Sequence, residues 1–580
     1  MTTSAKSDKN PADKNPADKN PADKNSEANE AGFTHREILV IMSGLMLGML
    51  LAALDQTIVA TAIRTIADDL DGYSLQAWVT TAYLITATLA TPLYGKLSDM
   101  YGRKPFFMLA ITIFVVGSLL CTIAQSMYML AAFRAFQGLG AGGLMSLALT
   151  ILGDIVSPRE RAKYQGYFLA VFGTSSVIGP VLGGLFAGQE SILGVSGWRW
   201  VFLVNVPIGL FALAVVFRVL HLPKVRKPTV RVDWWGAFVL AVGIVPLLII
   251  AEQGRVWGWG SGRAILCYVV GVVGVVGFVL VESRLKDAAL IPLRMFKNST
   301  FAMGVVISVV VGAAMFGGIT LIPQYLQVVR GASPTDAGLQ MLPLVLGLMV
   351  GSIVSGQMIS RTGRYRAFPI IGATLLTLGL FLLHFIDADS PLWLAMIYMA
   401  ITGFGLGNLM QPMTLALQNA LPPKDMGVST AAATFFRQIG GTMGVAIFLS
   451  ILFAQVTPNI SSELQAAAKD PTFQQALADG LQSSNPVDAQ LAKGLANQDV
   501  SAAAGVLQDS SIIQQLSPEL ARPFKVGFAE SMSTVFLSAT GLALIALVLV
   551  FFWKEVPLRT AGGIAAAAQA AKEEREADEA

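Results

Sequence analysis

From about residue 37 to residue 553 the chain alternates long apolar runs with short polar connectors. Crossing a hydrocarbon core of about 30 Å takes about 20 helical residues. Runs of that order fall at 37–62, 77–96, 105–124, 127–153, 163–188, 199–220, 233–252, 263–283, 300–326, 336–360, 367–386, 392–416, 427–454 and 527–553. They predict an all-α integral membrane protein of about 14 transmembrane helices, and an even count puts both termini on one side. Residues 1–36 are a polar tail. Within it a Pro-Ala-Asp-Lys-Asn repeat runs from Pro11 through Asn25, with nothing apolar to bury and no signal-peptide core, which predicts disorder. Residues 559–580, rich in Ala, Glu, Lys and Arg, read as a second tail. The segment 455–526 is rich in Ala, Gln, Asp and Ser. Leu481, Leu491 and Leu495 at helical spacing predict short surface helices there, forming either a cap over one mouth of the bundle or a partner-binding loop.

Composition agrees with the pattern. Of 580 residues, 54% are hydrophobic and 13% charged, against about 25% charged in a soluble domain. Forty Lys and Arg with 37 Asp and Glu cannot cover a water-soluble chain of this length. The 56 glycines and 22 methionines suit helices packed closely in lipid. A net charge of +3 is too small to call for nucleic acid. Cys121 and Cys267 sit in apolar runs, and His35, His221 and His384 are scattered, so neither a disulfide framework nor a metal site is expected. No Gly-rich phosphate loop ending in Gly-Lys-Ser/Thr occurs. With no cofactor or ATP site expected, uphill transport would have to run on an ion gradient.

Charge supplies an orientation. Alternate loops hold Arg103 and Lys104; Arg159, Arg161 and Lys163; Lys224, Arg226, Lys227 and Arg231; Arg284, Lys286, Arg294 and Lys297; and Arg361, Arg364 and Arg366. The opposite loops carry little more than Arg64, Arg255, Arg263 and Arg330, beside Asp68, Asp69, Asp71, Asp387 and Asp389. The positive-inside rule then makes both termini cytoplasmic in a multi-pass protein of the cell membrane, with 455–526 on the outer face.

The chain also repeats itself. Gly95-Lys-Leu-Ser-Asp99-Met-Tyr-Gly102-Arg103-Lys104 follows span 2, and Gly356-Gln-Met-Ile-Ser360-Arg-Thr-Gly363-Arg364-Tyr-Arg366 follows span 10. Glycines and basic residues share their spacing, with Ser360 in the place of Asp99. This implies two six-helix pseudo-repeat halves, 37–220 and 300–558, with two extra helices inserted in a linker at 221–299. Repeats of this kind mark alternating-access transporters, whose site lies between the repeats.

Charges within spans cost at least about 2.5–3.5 kcal/mol near a helix centre, so each needs a reason. Asp55 in span 1 and Arg134 in span 4 lie at matching depth, roughly 10–12 Å below the outer surface at 1.5 Å per residue. Gln137 follows one turn below Arg134. Together they predict either a static buried ion pair or a proton-titrating network. Arg437 with Gln438 in span 13 lies close to the midplane without an obvious acidic partner; anchoring to backbone carbonyls is slightly favoured over a substrate role, in which both would line the substrate cavity. Glu252, Glu282 and Glu530 fall near span ends, where water reaches them. Tyr83, Gln137, Asn205, Gln324, Asn408 and Gln411 are polar points that would line a substrate cavity if they face inward. In span 5, Gly173, Gly179-Pro180 and Gly183-Gly184 predict a hinge or close-packing face.

Together these motifs resemble the major facilitator superfamily, and specifically its fourteen-span drug:proton antiporters. The Gly95–Lys104 loop is similar to the superfamily's gating motif, and Arg134-Ala-Phe-Gln137-Gly138-Leu-Gly140 to the span 4 motif linked to proton transfer. Gly179-Pro180-Val-Leu-Gly183-Gly184 is similar to the span 5 motif that marks exporters. Leu54-Asp55-Gln-Thr57-Ile58-Val59, Asp233-Trp-Trp-Gly236 and Phe436-Arg437-Gln438-Ile-Gly440-Gly441 look typical of the fourteen-span group, although a proline usual after the span 1 motif is here Arg64. The resemblance implies that Asp99, Arg103 and Asp154 form a cytoplasmic network locking the outward-facing state.

The expectation is a proton-coupled exporter of amphipathic, cationic or neutral small molecules, working as a monomer and not as an enzyme. Asp55 and Arg134 would couple to protons, with Glu530 a weaker candidate. The alternatives are export of an endogenous lipid, metabolite or antibiotic, and a non-transporting membrane scaffold whose outer loop recruits a partner.

Overall fold

The computed structural model describes residues 34–70, 75–222, 232–285, 288–496 and 510–559. The repeat-bearing tail, the C-terminal tail, Asp71, Lys224, Arg226, Lys227, Arg231 and Lys286 lie outside the described residues. Lipid offers no hydrogen bonds, so a spanning backbone must pair its own polar groups, and helices do this within one segment. The chain accordingly folds into α1 (His35–Asp69), α2 (Gln76–Tyr101), α3 (Arg103–Thr122), α4 (Met127–Ile155), α5 (Pro158–Ala187), α6 (Trp200–Leu203) and α7 (Asn205–Val219). There follow α8 (Trp234–Trp257), α9 (Gly262–Leu285), α10 (Ser299–Gln324), α11 (Pro334–Gln340), α12 (Leu342–Thr362), α13 (Ala367–Leu383), α14 (Leu392–Ala420) and α15 (Met426–Ala467). Last come α16 (Pro471–Leu481), α17 (Pro486–Ala496) and α18 (Pro518–Phe552). Helix starts carry their chemistry locally. Thr34 and Glu37 close a reciprocal capping box on α1, and Ser126 and Ser157 cap α4 and α5.

The chain is thus an all-α, multi-pass membrane protein. Among the described residues, twelve helical segments are long and apolar enough to cross a membrane. Helix α2, which carries Lys96 and Asp99, and the 17-residue α13 are not among the twelve. The expected number of fourteen is therefore not reached by length and apolarity alone. Span 6 also differs from the sequence reading, since it breaks at Val204 into α6 and α7.

Packing follows the repeat. The pairs α2/α4, α1/α5 and α3/α4 recur as α12/α14, α10/α15 and α13/α14. Across the two groups α2 meets α15, and α5 meets α12. Glycine decides how closely the equivalent pairs approach. A Cβ on Gly142 of α4 would lie 2.2 Å from the Ala87 carbonyl of α2, and one on Gly407 of α14 would lie 2.2 Å from the Leu348 carbonyl of α12. The repeat loops share a backbone reason for their glycines too, because Gly102 and Gly363 take φ of 99° and 69°. Helices α8 and α9 pack on each other where Gly274 meets Gly243, and α8 lies against α2 and α15.

The connector between α15 and α18 is shorter than its composition suggested. Helix α15 continues as helix to Ala467 and α18 starts at Pro518, so 455–467 and 518–526 belong to long helices, not to a loop. Between them α16 and α17 form as expected. Leu491 is buried and Leu495 is partly buried against the same apolar cluster, whereas Leu481 is exposed. Asp488 accepts the Ser517 N–H at 2.9 Å, and Gln514 donates to the Gln327 carbonyl at 2.7 Å, tying this cap to the α10–α18 group.

Gly142→Val should lower the thermal unfolding midpoint of the purified protein clearly, since overpacking a close contact costs about 1–3 kcal/mol. Gly184→Val, where an added Cβ meets nothing within 4 Å, is the matched control and should shift far less. Equal shifts would show that the α2/α4 contact is not limited by backbone approach.

Candidate functional site

Five helices converge on one carboxylate. Asp55 on α1 accepts from Arg134 Nη1 of α4 at 2.5 Å through Oδ2. Its Oδ1 accepts from Gln137 Nε2 at 2.9 Å and from Asn205 Nδ2 of α7 at 2.9 Å. Gln137 also donates to Ser118 Oγ of α3 at 2.7 Å and accepts from Arg134 at 2.7 Å. Arg134 Nε points to the Val79 carbonyl of α2 at 3.4 Å, and its guanidinium lies 4.0 Å over the Tyr83 ring. Asp55, Gln137 and Asn205 are 0% exposed and Arg134 1%.

This geometry limits the chemistry. Arginine does not release its proton in proteins, so Asp55 is the group of the pair that can change charge. Protonating it would remove the ion pair and leave Arg134 with Gln137, a distant carbonyl and an aromatic face. Tyr83, Gln137 and Asn205, expected along a cavity, are members of this buried network, and the Tyr83 hydroxyl and Asn205 Oδ1 have no hydrogen-bond partner among the described residues.

The α5 motif abuts the same stretch of α1. Thr57 Oγ1 donates to the Ser175 carbonyl at 3.0 Å, and a Cβ on Gly179 would lie 2.0 Å from that hydroxyl oxygen. Gly183 faces Ile58 and Thr61, Gly184 faces open space, and Pro180 lies 3.6 Å from the Cβ position of Gly338 on α11. The glycines thus let α5 ride close on α1, and the proline touches the second group of helices.

A second network joins the groups at the face that carries the basic loops. Asp99, at the end of α2, pairs with Arg103 Nη1 at 2.5 Å. It also accepts the N–H groups of Gly427 at 3.1 Å and Val428 at 2.9 Å, in the first turn of α15. A helix N-terminus presents unpaired N–H groups and a positive dipole end, so a carboxylate belongs there. Arg103 Nε donates to Asp154 at 2.7 Å and its Nη1 to Ser98 Oγ at 2.8 Å. A Cβ on Gly95 would lie 2.4 Å from that of Ala431, which is why α2 and α15 can meet here. Lys104 donates to the Phe217 carbonyl at 2.7 Å.

Several participants escaped the sequence reading. Arg161, 0% exposed, donates to the Gln418 side chain across the two groups and to the Gly153 carbonyl at 2.6 Å. Arg159 donates to the carbonyls of Ser360 at 2.6 Å and Arg361 at 2.8 Å, at the end of α12. Both had been counted only as topology-setting charges. Glu282, expected in water, is 1% exposed and accepts the N–H groups of Leu290 at 3.0 Å and Ile291 at 3.2 Å. It clasps the turn that leads out of α9, a local spacing of eight and nine residues that the sequence did display.

The remaining candidates do not gather. Glu530 is exposed on α18 and is not among the partners of Asp55. Asn408 donates to the Phe404 carbonyl at 2.8 Å beneath Gly351, in the α12/α14 contact. Gln411 is buried and Gln324 half-buried. The glycines after Arg437 pack α15 on α10, with a Cβ on Gly440 only 2.0 Å from the Val309 carbonyl. Arg437 itself is not anchored to backbone carbonyls as expected; it borders a narrow cleft with Ser308, Met410 and Met413. The side-chain oxygen of Gln438 has no hydrogen-bond partner among the described residues. No group of three metal-ligating side chains occurs among them.

Residues 45–445 match the sequence profile of the Major Facilitator Superfamily. The chain is 36% identical to the multidrug transporter protein MdtP of Bacillus subtilis over 417 residues, covering 72% of this chain and 75% of that one. It is 34% identical over 520 residues to an uncharacterised MFS-type transporter of Mycobacterium tuberculosis, covering 90% and 70%. In fold it is similar to the proton:xylose symporter XylE, with a TM-score of 0.55 at 15% identity, over 93% of this chain and all of that one.

Breaking a buried ion pair by removing one partner costs about 3–5 kcal/mol, because the other charge is stranded. Asp55→Asn and Arg134→Gln should each lower the thermal midpoint, and the double variant should be less destabilised than the sum of the two. Additive losses in this double-mutant cycle would mean that the two side chains do not support each other.

Proposed function

The chain belongs to the major facilitator superfamily, and we propose that it exports amphipathic small molecules in exchange for protons by alternating access. The observation that carries this reading is the buried Asp55–Arg134–Gln137–Asn205 network, a titratable carboxylate held against a permanent cation in the interior of the first helix group. Proton uptake at Asp55 weakens the hold on Arg134 and loosens the junction of α1, α4 and α7. That is the kind of change a transporter needs to tie a proton to a conformation. The efflux direction draws support from the Gly179–Gly184 motif seated on α1 and from a relative named as a multidrug transporter.

In this reading α1–α7 and α10–α18 are the two rocking halves, α8 and α9 are the inserted pair, and fourteen helices cross the cell membrane. The basic face is cytoplasmic, and both described chain ends lie on it: His35 is bonded to Tyr164, and Arg559 to the Leu421 carbonyl. The Asp99–Arg103–Asp154 network with the α15 N-terminus is the cytoplasmic lock, and it opens when substrate is to be loaded from that side. The protein works as a monomer.

Purified protein in liposomes with an imposed pH gradient should drive ethidium movement that collapses with the gradient, and Asp55→Asn should abolish the coupling. Coupled movement that survives Asp55→Asn moves the proton site elsewhere, with Glu530→Gln the next variant to assay. Replacing 470–516 by a short Gly/Ser linker should leave most of the ethidium flux in place; its complete loss in a folded variant would favour the partner-recruiting role of the outer segment.

A further inference from the structure

Among the described residues, the guanidinium groups buried in the bundle each have hydrogen-bond acceptors, although Arg161 Nε has none and Arg161 pairs with no acid. Arg134 has Asp55, Arg103 has Asp99 and Asp154, and Arg161 has Gln418 with two backbone carbonyls. Arg437, half-buried on α15, breaks that pattern. It lies eleven residues along α15 from Met426, roughly 16 Å from the basic face at 1.5 Å per residue. No hydrogen bond, ion pair or ring contact reaches it from any described residue. A guanidinium near the middle of a bilayer is unfavourable unless something accepts its hydrogens and offsets its charge.

The surroundings say what that something is. Arg437 borders a narrow cleft between α10, α14 and α15. The helices α10 and α14 are the repeat counterparts of α1 and α4, which carry Asp55 and Arg134. The apolar wall is Val311, Met410 and Met413, and thioether side chains adapt to irregular ligands. Two hydroxyls also line the cleft, but both protons are spent: Ser308 donates to the Gly304 carbonyl at 2.8 Å, and Thr414 to the Met410 carbonyl at 3.1 Å. The guanidinium therefore supplies the free donors here. Its planar fork matches a carboxylate or phosphate with two parallel hydrogen bonds, and its charge opposes an amphipathic cation.

We propose that Arg437 at this cleft is an oxyanion subsite that receives the carboxylate or phosphate of an amphipathic substrate; the cleft, about 10 Å³, takes no more than part of that headgroup, and the apolar body lies outside it. The inference rests on the transport reading above and narrows it: the substrates include amphipathic anions, and a cation is accommodated away from this subsite. The same oxyanion chemistry is offered by a free amphipathic acid and by the headgroup of an anionic lipid.

The test is equilibrium binding to the full-length purified protein in phosphatidylcholine nanodiscs, with radiolabelled decanoate and ethidium as separate probes. Arg437→Gln should weaken decanoate binding by about tenfold or more, as expected for loss of a charge-assisted bond, and should strengthen ethidium binding by about twofold. Arg437→Lys, which keeps the charge but not the fork, should fall between wild type and Arg437→Gln for decanoate. Decanoate binding unchanged in Arg437→Gln overturns the proposal, and so does equal weakening of both probes, which would mark Arg437 as structural. Arg437-dependent decanoate binding in a protein that moves no ethidium would keep the subsite and reject drug export. Repeating the titration with phosphatidylglycerol in the nanodisc separates the sources. Competition assigns the subsite to lipid headgroups, and its absence assigns it to free acids.

Discussion

A guanidinium inside a bilayer has no water to retreat to, and this constraint organises the interior of the molecule. Arg134 is held by one carboxylate, one amide and one aromatic face, contributed by three helices. Because Asp55 and Gln137 must also be satisfied, Ser118 and Asn205 are drawn in from two more. The first helix group is thus assembled around a polar knot in a medium where apolar contact alone gives helices little reason to choose one another. In the proposed mechanism one proton on Asp55 changes what Arg134, Gln137 and Asn205 can bond to.

The two helix groups are held together internally and joined to each other by different physics. Within a group, glycines bring backbones into contact, as Gly142 does on Ala87 and Gly407 on Leu348. Such contacts are broad and rigid. Between the groups at the basic face, the links are a carboxylate on a helix N-terminus, a guanidinium on the carbonyls at a helix C-terminus, and the Arg161–Gln418 bond. Interactions of a charge with a helix end contribute about 0.3–2 kcal/mol each. A handful of them can hold two bodies closed and still be broken without disturbing either body. The repeat shows the same logic with its chemistry exchanged. Asp99 caps α15 from the first group; at the equivalent place stands Ser360, whose carbonyl is capped by Arg159 of α5.

Much of this was legible in the chain. Run lengths located the helices, the matched depths of Asp55 and Arg134 anticipated a contact, and the shared spacing of Gly102 and Gly363 falls on two loop glycines of positive φ. The misses have a common cause. Glu282, Arg159 and Arg161 sit near span ends, where a charged side chain in sequence is indistinguishable from one bathed in water. Whether it is solvated depends on which helix end faces it. Composition overstates the connector at 455–526 because it turns polar before the helices stop: α15 outruns its apolar stretch to Ala467.

What the sequence determined by itself was therefore the medium and the menu: helices of membrane length, a basic face, two like halves, and a short set of charges too costly to leave unexplained. Those follow from transfer free energy and periodicity, which are properties of residues and their neighbours in the chain. The tertiary structure alone decided which charges are matched. Asp55 finds Arg134 across 79 positions, Asp99 finds Val428 across 329, and Arg437 finds no described partner. Pairing is a matter of a few ångströms between helices far apart in sequence, and no local pattern encodes a distance of that kind.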